Sequence, residues 1–173
     1  MIVTPSWQQP SHPDLIQVIS SPDKFGNFAL SLVSLPAGAF FARIDKYHFV
    51  NDRSYATVEA SQGRHLELDS DLLYVNHSCD PALEFDVTRM EVRVSHHRRL
   101  NKGDELTFFY PSTELHMAQP FDCHCRASEC KGRIAGAAQM EPSHLDEYWL
   151  NQHVQEQLAR KNYANDVIVA TER

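Results

Sequence analysis

The stretch Leu72-Leu73-Tyr74-Val75-Asn76-His77-Ser78-Cys79-Asp80-Pro81 changes character halfway along. Its first half is apolar and predicts a short buried strand or a turn of helix. Its second half places an amide, an imidazole, a hydroxyl and a thiol at consecutive positions. Burying such polar groups costs free energy unless each of them finds a partner. The segment is therefore either a surface turn or a functional site, and the rest of the chain must distinguish the two.

Length and composition predict one globular domain with a substantial core. The chain has 173 residues, of which 42% are hydrophobic and 23% are charged. No apolar run approaches the length of a membrane span. The segment Met1–Asp14 holds three prolines and lacks the cationic and apolar pattern of a signal peptide. We therefore expect an intracellular protein, nuclear or cytoplasmic, that has no membrane partner and keeps its thiols reduced.

The formal net charge of −7 limits the choice of partners. A protein that binds phosphate backbones needs an excess of Lys and Arg, so direct binding to nucleic acid is not expected. A basic ligand such as a lysine-rich peptide suits an acidic protein. Solubility alone also explains the charge.

Alternating and apolar runs predict several short strands and one helix. The helix is predicted from an N-cap at Ser143, with Asp146 at the third helical position, to about Asn162. The segment Asn51–Asp71 is polar and weakly periodic, and we interpret it as an insert that carries substrate contacts. The predicted strands are Leu15–Ser20, Phe28–Leu32, Phe40–Ile44, the hairpin Leu83–Val87 with Met90–Val94, and Leu106–Phe109.

The four cysteines favour a zinc site. Structural zinc takes four ligands in a tetrahedron, and thiolates are its standard ligands. Three cysteines share one short loop, and Cys79 offers the fourth thiolate, so an all-thiolate site uses every cysteine. Two disulfides, unlinked buried thiols and replacement of one thiolate by His124 remain open alternatives. The loop cysteines are Cys123, Cys125 and Cys130.

Three segments, taken in order, resemble the successive motifs of SET-domain protein lysine methyltransferases. They are Asn76–Pro81, Gly103–Tyr110 and the cysteine cluster from Cys123 to Cys130. Two earlier segments, Lys24–Ala29 and Pro36–Gly38, resemble the family's N-terminal Gly-x-Gly segment and the turn after it. The likeness covers roughly residues 15–136 and rests on the ordered set of motifs.

The resemblance implies a mainly β fold with some α-helix. It would be a β-clip-like SET domain of small twisted sheets with a pseudo-knot, where one segment threads under another. A zinc-binding post-SET loop and a C-terminal helix would follow. The implied divisions are an irregular N-terminal arm at 1–14, a SET domain at 15–118 with the insert at 51–71, a post-SET loop at 119–136 and a helical tail at 137–173.

The resemblance also implies a cofactor, a metal and a substrate. S-adenosylmethionine would donate a methyl group to a lysine of a protein or peptide, and Tyr110 would be the catalytic tyrosine and touch the cofactor. The other implied cofactor contacts are Lys24, Phe25, Gly26, Asn27, Asn76 and His77. The implied substrate channel consists of Phe108, Phe109 and Tyr74, with Tyr148 or Trp149 as further candidates. The implied ligands of a structural Zn²⁺ are Cys79, Cys123, Cys125 and Cys130.

The chemistry of such a channel is alignment and dehydration. A lysine is mostly protonated at pH 7 and must lose a proton before it attacks the methyl carbon. A dry aromatic channel lowers the pKa of the amine, and positioning supplies much of the rate. Tyr110 and nearby carbonyl oxygens would orient the amine. Phe108 occupies the family's Phe/Tyr switch, where a Phe accompanies di- or trimethylation.

Four positions depart from the family pattern, and they keep other functions open. A SET-fold enzyme acting on a small molecule and a non-catalytic binding module are the alternatives to lysine methylation. The oligomeric state is not predicted. The departures are Lys24 in place of the first Gly of Gly-x-Gly, Leu73 in place of Arg, Ala82 in place of Asn, and Phe109 in place of the Asp before the catalytic tyrosine.

Overall fold

The computed structural model describes residues 5–22 and 26–171, with side chains up to residue 161. Most of its regular structure is short strands. The strands are β1 (Ile16–Ile19), β2 (Phe28–Ser31), β3 (Phe40–Arg43), β4 (Tyr47–Val50), β5 (Thr57–Ser61), β6 (Arg64–Leu68), β7 (Asn76–His77), β8 (Leu83–Asp86), β9 (Glu91–Val94), β10 (Thr107–Phe108), β11 (Phe121–Asp122) and β12 (Arg133–Ile134). The helices are α1 (Pro142–Leu145), α2 (Gln152–Thr171) and the 3-10 helices Asp71–Tyr74, Tyr110–Ser112 and Ala137–Gln139.

These strands form four small sheets, as the mainly β prediction requires. β1 pairs with β2, β11 pairs with β12, and β4, β6 and β5 form a three-stranded sheet. The largest sheet has the order β3-β9-β8-β10-β7. Its β8–β9 hairpin is confirmed, with Leu83 opposite Val94 and Phe85 opposite Val92. All four of these side chains are fully buried, so the hairpin forms the centre of the main core.

β10 is inserted between two strands that precede it in the chain. It runs parallel to β7, with Thr107 opposite Asn76, and parallel to β8 through Phe108 and Leu83. Ser78 N also donates a hydrogen bond to the Phe108 carbonyl oxygen, at 3.1 Å. The pseudo-knot predicted from the family resemblance falls at this crossing. The insertion joins the polar half of the 72–81 stretch to the segment that carries Tyr110.

The segment at 51–71, for which no strand was predicted, contains β5 and β6. Val58, Leu66 and Leu68 are buried and would have indicated strands by themselves. Glu59 and His65 are buried too, and these polar residues interrupt the apolar alternation in the sequence. The two face each other across β5 and β6. The weak periodicity therefore reflects buried polar groups and not an irregular loop.

The single helix predicted from Ser143 to about Asn162 is wrong in its bounds. Glu141, and not Ser143, is the N-cap of the short helix α1, and Pro142 takes the first helical position. The chain then breaks before α2, which continues to Thr171. The break spans residues 146–151 and ends at Asn151, a fully buried residue whose side-chain amide bonds to backbone groups of the core. Those bonds require a non-helical approach, which the apolar spacing does not reveal.

The described part of the N-terminal segment is irregular, and it is anchored. Residues 5–15 carry no strand or helix. Trp7 Nε1, Gln9 Nε2 and Ser11 N donate hydrogen bonds of 3.1, 2.8 and 2.6 Å to the carboxylate of Asp71. Asp71 N in turn donates to Ser11 Oγ at 2.7 Å. The arm is thus fixed to the 3-10 helix that leads into the 72–81 stretch.

Candidate functional site

A cavity of about 1540 Å³ lies where the 72–81 stretch, β10 and the cysteine loop meet. Its lining includes residues 27–28, residues 54–58 before and within β5, residues 72–78, five of the residues 104–110 and most of the loop 117–127. Seven consecutive residues of the 72–81 stretch face this space. The stretch is therefore part of a site and is not a surface turn.

Tyr110 lies at the junction of these segments, with its side chain half-buried in the wall of the cavity. Its phenol oxygen lies 3.5 Å from the carbonyl oxygen of Val75, toward which it donates. Burial raises the pKa of Tyr110 well above its usual value, so the phenol keeps its proton. The hydroxyl and the carbonyl oxygen of Val75 together offer a small polar patch in otherwise aromatic surroundings.

Aromatic rings surround this polar patch. Phe108 packs on Phe85 with centroids 4.3 Å apart and on Tyr110 at 4.7 Å. Phe121, which the sequence analysis missed, lies edge-on to Tyr110 at 6.1 Å and also lines the cavity. Its position two residues before Cys123 is the only sequence signal that would have suggested it. Tyr74 lines the cavity as well and packs against Trp7 at 6.2 Å.

Phe109 is not a channel residue, which corrects the sequence prediction. Its ring is 2% exposed and stacks on Tyr148 with centroids 3.7 Å apart and an interplanar angle of 7°. Because neighbouring residues of an extended segment face opposite sides, the residue between Phe108 and Tyr110 points away from the cavity. Tyr148 and Trp149 are likewise absent from the cavity wall. Phe109 belongs to a second core with Ala137, Leu145 and Val154.

The polar groups predicted for cofactor contact are partly brought together. Asn76 Nδ2 donates to the carbonyl oxygen of Asn27 at 3.0 Å, and both residues line the cavity. Asn27 Oδ1 in turn accepts from Ser21 N at 2.9 Å. Gly26 is half-buried but does not line the cavity. Lys24 and Phe25 lie outside the described residues.

The four cysteines converge at one edge of the cavity. The sulfur atoms of Cys79, Cys123, Cys125 and Cys130 all lie within 4.8 Å of one another, and none forms a disulfide. His124 is not part of this cluster, so the all-thiolate alternative fits best. Burial raises the pKa of the Cys79 thiol to about 11, which makes an uncompensated thiolate costly there. This donor set is the one that structural zinc prefers.

His77 connects the cysteine cluster to the tyrosine. Tyr110 N donates to His77 Nδ1 at 3.2 Å, and His77 Nε2 lies 3.4 Å from the sulfur of Cys79. Burial lowers the pKa of His77 to about 4, so the ring is neutral at physiological pH. Since Nδ1 accepts a hydrogen bond, Nε2 carries the proton and points it at the sulfur.

Glu114 is a second residue that the sequence analysis missed. It lines the cavity, is only 8% exposed, and follows Tyr110 by one turn, since Glu114 N donates to the Tyr110 carbonyl oxygen at 3.1 Å. Burial raises the pKa of its carboxyl group to about 7. A single glutamate outside any predicted strand or helix is expected to face solvent, so no sequence signal pointed to it.

Comparison with known proteins agrees with this geometry. The model of the SET domain family matches residues 7–111. The chain is 52% identical over 157 residues to the protein "Methyltransferase flvH" of Aspergillus flavus, covering 91% of this chain and 88% of the relative. It is 27% identical over 100 residues to the histone-lysine N-methyltransferase ash1 of Drosophila melanogaster. It is 30% identical over 76 residues to an H3 lysine-36 specific histone-lysine N-methyltransferase of Eremothecium gossypii.

These two histone-lysine enzymes are much longer proteins, of which the chain spans 4% and 11%. Among solved structures, KRYPTONITE in complex with mCHH DNA, an H3(1-15) peptide and SAH has a similar fold, with a TM-score of 0.51 and 20% identity. That match covers 68% of this chain and 29% of KRYPTONITE. No helix among the described residues has both the length and the apolarity of a membrane span. The matched motifs, the inserted strand and the tyrosine-lined cavity lead to one conclusion: the chain belongs to the SET domain family.

Proposed function

We propose that the protein transfers a methyl group from S-adenosylmethionine to the side-chain amine of a lysine in a protein substrate. The observation that carries the proposal is the meeting of the Tyr110 hydroxyl, the Val75 carbonyl oxygen and Asn76 in one cavity. The cysteine loop forms another wall of the same cavity. The cavity is also large enough for a nucleoside-sized ligand and a side chain together.

When bound, S-adenosylmethionine supplies a methyl carbon that is already electrophilic because it is attached to a sulfonium. The protein then needs only to hold a neutral amine in line with that carbon. The Val75 carbonyl oxygen accepts a hydrogen bond from the amine, and the Tyr110 hydroxyl fixes its orientation. The aromatic rings around them exclude water and favour the uncharged amine.

Asn76 and Asn27 are the residues that would hold the cofactor within the described part of the chain, because both line the cavity and are fixed to each other. His77 would act on the cofactor site indirectly, since its ring nitrogens are directed at Tyr110 N and Cys79. The four thiolates would hold one Zn²⁺ as a structural ion that fixes the loop carrying Phe121. Lys24, Phe25 and Gly26 remain proposed contacts of the cofactor.

A lysine-containing, basic protein is the proposed partner. The net charge of −7 favours a cationic substrate. The cavity wall carries Glu105 and Glu114, for which no ion pair is found among the described residues. Its other acidic residues, Asp80, Asp104 and Asp122, are paired with Arg98 or Arg133. Two relatives are named for histone lysines, and an intracellular location, nuclear or cytoplasmic, is part of the proposal.

The test combines cofactor binding with methyl transfer. Calorimetry with S-adenosylmethionine should show saturable binding, and transfer of labelled methyl groups should be found on lysines of histones or of an extract. Tyr110→Phe should keep cofactor binding and lower transfer by about 10²-fold or more, because it removes one positioned hydroxyl. Tyr47→Phe, in β4 and outside the cavity wall, serves as the control. No binding of cofactor and no transfer to any lysine would contradict the proposal.

A small-molecule amine is the second candidate substrate. The relative that matches nearly the whole chain is named only as a methyltransferase, whereas the histone-lysine enzymes match 53% and 42% of the chain. Methyl transfer to metabolite amines with none to proteins would favour this candidate.

A further inference from the structure

Glu114 is a buried carboxylate that the proposed methyl transfer does not use. Glu114 lines the same cavity as Tyr110, and Val58 and Thr113 line it too. Being 8% exposed, it has little contact with bulk solvent. The Tyr110–Ser112 helix fixes its backbone, so its position relative to Tyr110 is set by the fold.

Only one of its two carboxylate oxygens has a hydrogen-bond partner among the described residues. Oε1 accepts a hydrogen bond of 2.7 Å from Glu59 N, and no hydrogen bond or ion pair among the described residues involves Oε2. The charge of Glu59 opposes ionisation of Glu114 and that of Arg53 favours it. The Arg53 guanidinium, however, donates its hydrogen bond to the His116 carbonyl oxygen, at 2.8 Å.

A structural role does not explain this arrangement. Accepting one backbone N–H from β5 requires a single oxygen, which a neutral amide supplies without the cost of burying a charge. The burial raises the pKa of Glu114 to about 7, which is the mark of an anion lacking a counterion. A cation entering the cavity would supply the missing partner, and the charge-assisted bond would be a strong one.

We propose that the free carboxylate oxygen of Glu114 binds a second cationic group of the substrate. This inference rests on the proposed function and narrows its substrate class to amines that carry another positive charge near the nitrogen that is methylated. Such an amine is either a free diamine or a lysine beside another basic residue. The two share the chemistry that Glu114 recognises.

The test measures binding to the protein saturated with S-adenosylhomocysteine. Cadaverine and pentylamine have the same carbon chain and differ by one cationic end. In the second arm, a peptide with two adjacent lysines is compared with one in which norleucine replaces the second lysine. The wild-type protein should prefer the doubly charged ligand in at least one arm by about tenfold, and Glu114→Gln should remove the preference.

Glu59→Gln is the matched control, because Glu59 is equally buried but opens into a different pocket, beside His65 and Gln157. It should keep the preference. Glu114→Gln retains an oxygen for Glu59 N and should fold, as checked by its melting temperature. Preference with cadaverine alone identifies a small diamine, and preference with the peptide alone identifies a basic protein.

Equal binding of both ligands in both arms by the wild-type protein, or an unchanged preference in Glu114→Gln, overturns the inference. Neither result touches the methyl transfer itself, which is tested by the cofactor and by Tyr110→Phe. Failure of S-adenosylhomocysteine to bind would instead remove the proposed function.

Discussion

Asp71 shows how one carboxylate organises a neighbouring segment. Burial raises its pKa, but the hydrogen bonds from Gln9, Trp7 and Ser11 outweigh burial and hold the pKa below its usual value. A carboxylate with a depressed folded pKa stabilises the fold above its unfolded pKa, near 4, and loses that effect as the pH falls through the folded pKa. Asp71 should therefore contribute fully at neutral pH.

We expect Asp71→Asn to lower the free energy of unfolding at pH 7 by about 1–3 kcal/mol, because three donors lose a charged acceptor. The deficit should shrink below pH 4, where the wild-type carboxyl becomes protonated. Urea unfolding at several pH values measures both effects. Asp69→Asn, at a more exposed site that accepts from Ser6 Oγ, should change stability much less. A deficit that is constant with pH would contradict the assignment.

Phe108 lies beside the proposed amine position, in the wall of the cavity next to Tyr110. Its ring is buried between Phe85 and Tyr110, and it carries no hydroxyl to hold a water there. If lysine is the substrate, Phe108→Tyr should shift the products from di- or trimethylated toward monomethylated lysine. Mass spectrometry of the methylated substrate reads this directly. Phe85→Leu controls for simple repacking and should lower stability without adding a polar group.

At the scale of an element, the loop 119–136 carries three of the four clustered cysteines. It contains only β11 and β12, each of two residues, and so has little regular structure of its own. Its remaining contacts include Lys131 N donating to the sulfur of Cys79 at 3.4 Å. A metal ion bound by the four thiolates would therefore add a strong restraint to this wall of the cavity.

We expect one zinc per chain in purified protein, measured by elemental analysis. Cys125→Ser should abolish stoichiometric zinc and weaken S-adenosylmethionine binding by about tenfold or more, because the loop that carries Phe121 is released. His124→Ala, within the same loop but outside the sulfur cluster, should retain zinc. Full cofactor affinity in a zinc-free variant would show that the loop does not shape the site.

At the scale of the whole molecule, two cores are joined through Asn151. Its Nδ2 donates to the Phe85 and Ser112 carbonyl oxygens at 2.8 and 3.0 Å, and its Oδ1 accepts from Val87 N at 3.0 Å. Asn151→Leu would remove the partner of Val87 N and the side-chain bonds to the two carbonyl oxygens, although the backbone N of residue 151 still donates to the Ser112 carbonyl oxygen. The change should cost about 3 kcal/mol of stability. Thermal or urea unfolding measures the loss. Gln152→Ala, at the exposed neighbouring position, should be nearly neutral.

The features that could be predicted from the sequence are those whose residue pattern lies within one short segment or matches a family motif. The β8–β9 hairpin follows from alternating Val92 and Val94, and the convergence of Cys79 with the loop follows from the count of thiols and from the resemblance. The misses arise where a side chain's role depends on distant contacts. The buried amide of Asn151 bonds to the core where the chain is not helical. The buried polar residues Glu59 and His65 interrupt the apolar alternation that would have indicated two strands.

The same reason explains the errors at the site. Phe109 and Tyr110 are adjacent in sequence but belong to different cores, because one ring stacks on Tyr148 and the other faces the cavity. Glu114 is a candidate site residue because it is buried, and burial of a single glutamate cannot be predicted from the sequence. Residue types and spacing thus indicated segments that line the cavity, and three-dimensional packing decides which of their side chains face it.

The insertion of β10 between β7 and β8 has a consequence for how the chain is made. Until residues 107–108 have left the ribosome, β7 and β8 lack β10, the strand that pairs with both of them. We therefore expect the edges of β7 and β8 in a nascent chain to stay exposed until residues 107–110 have been synthesised and β10 pairs with both strands. Slow maturation and a need for chaperones or cool expression conditions are the expected result.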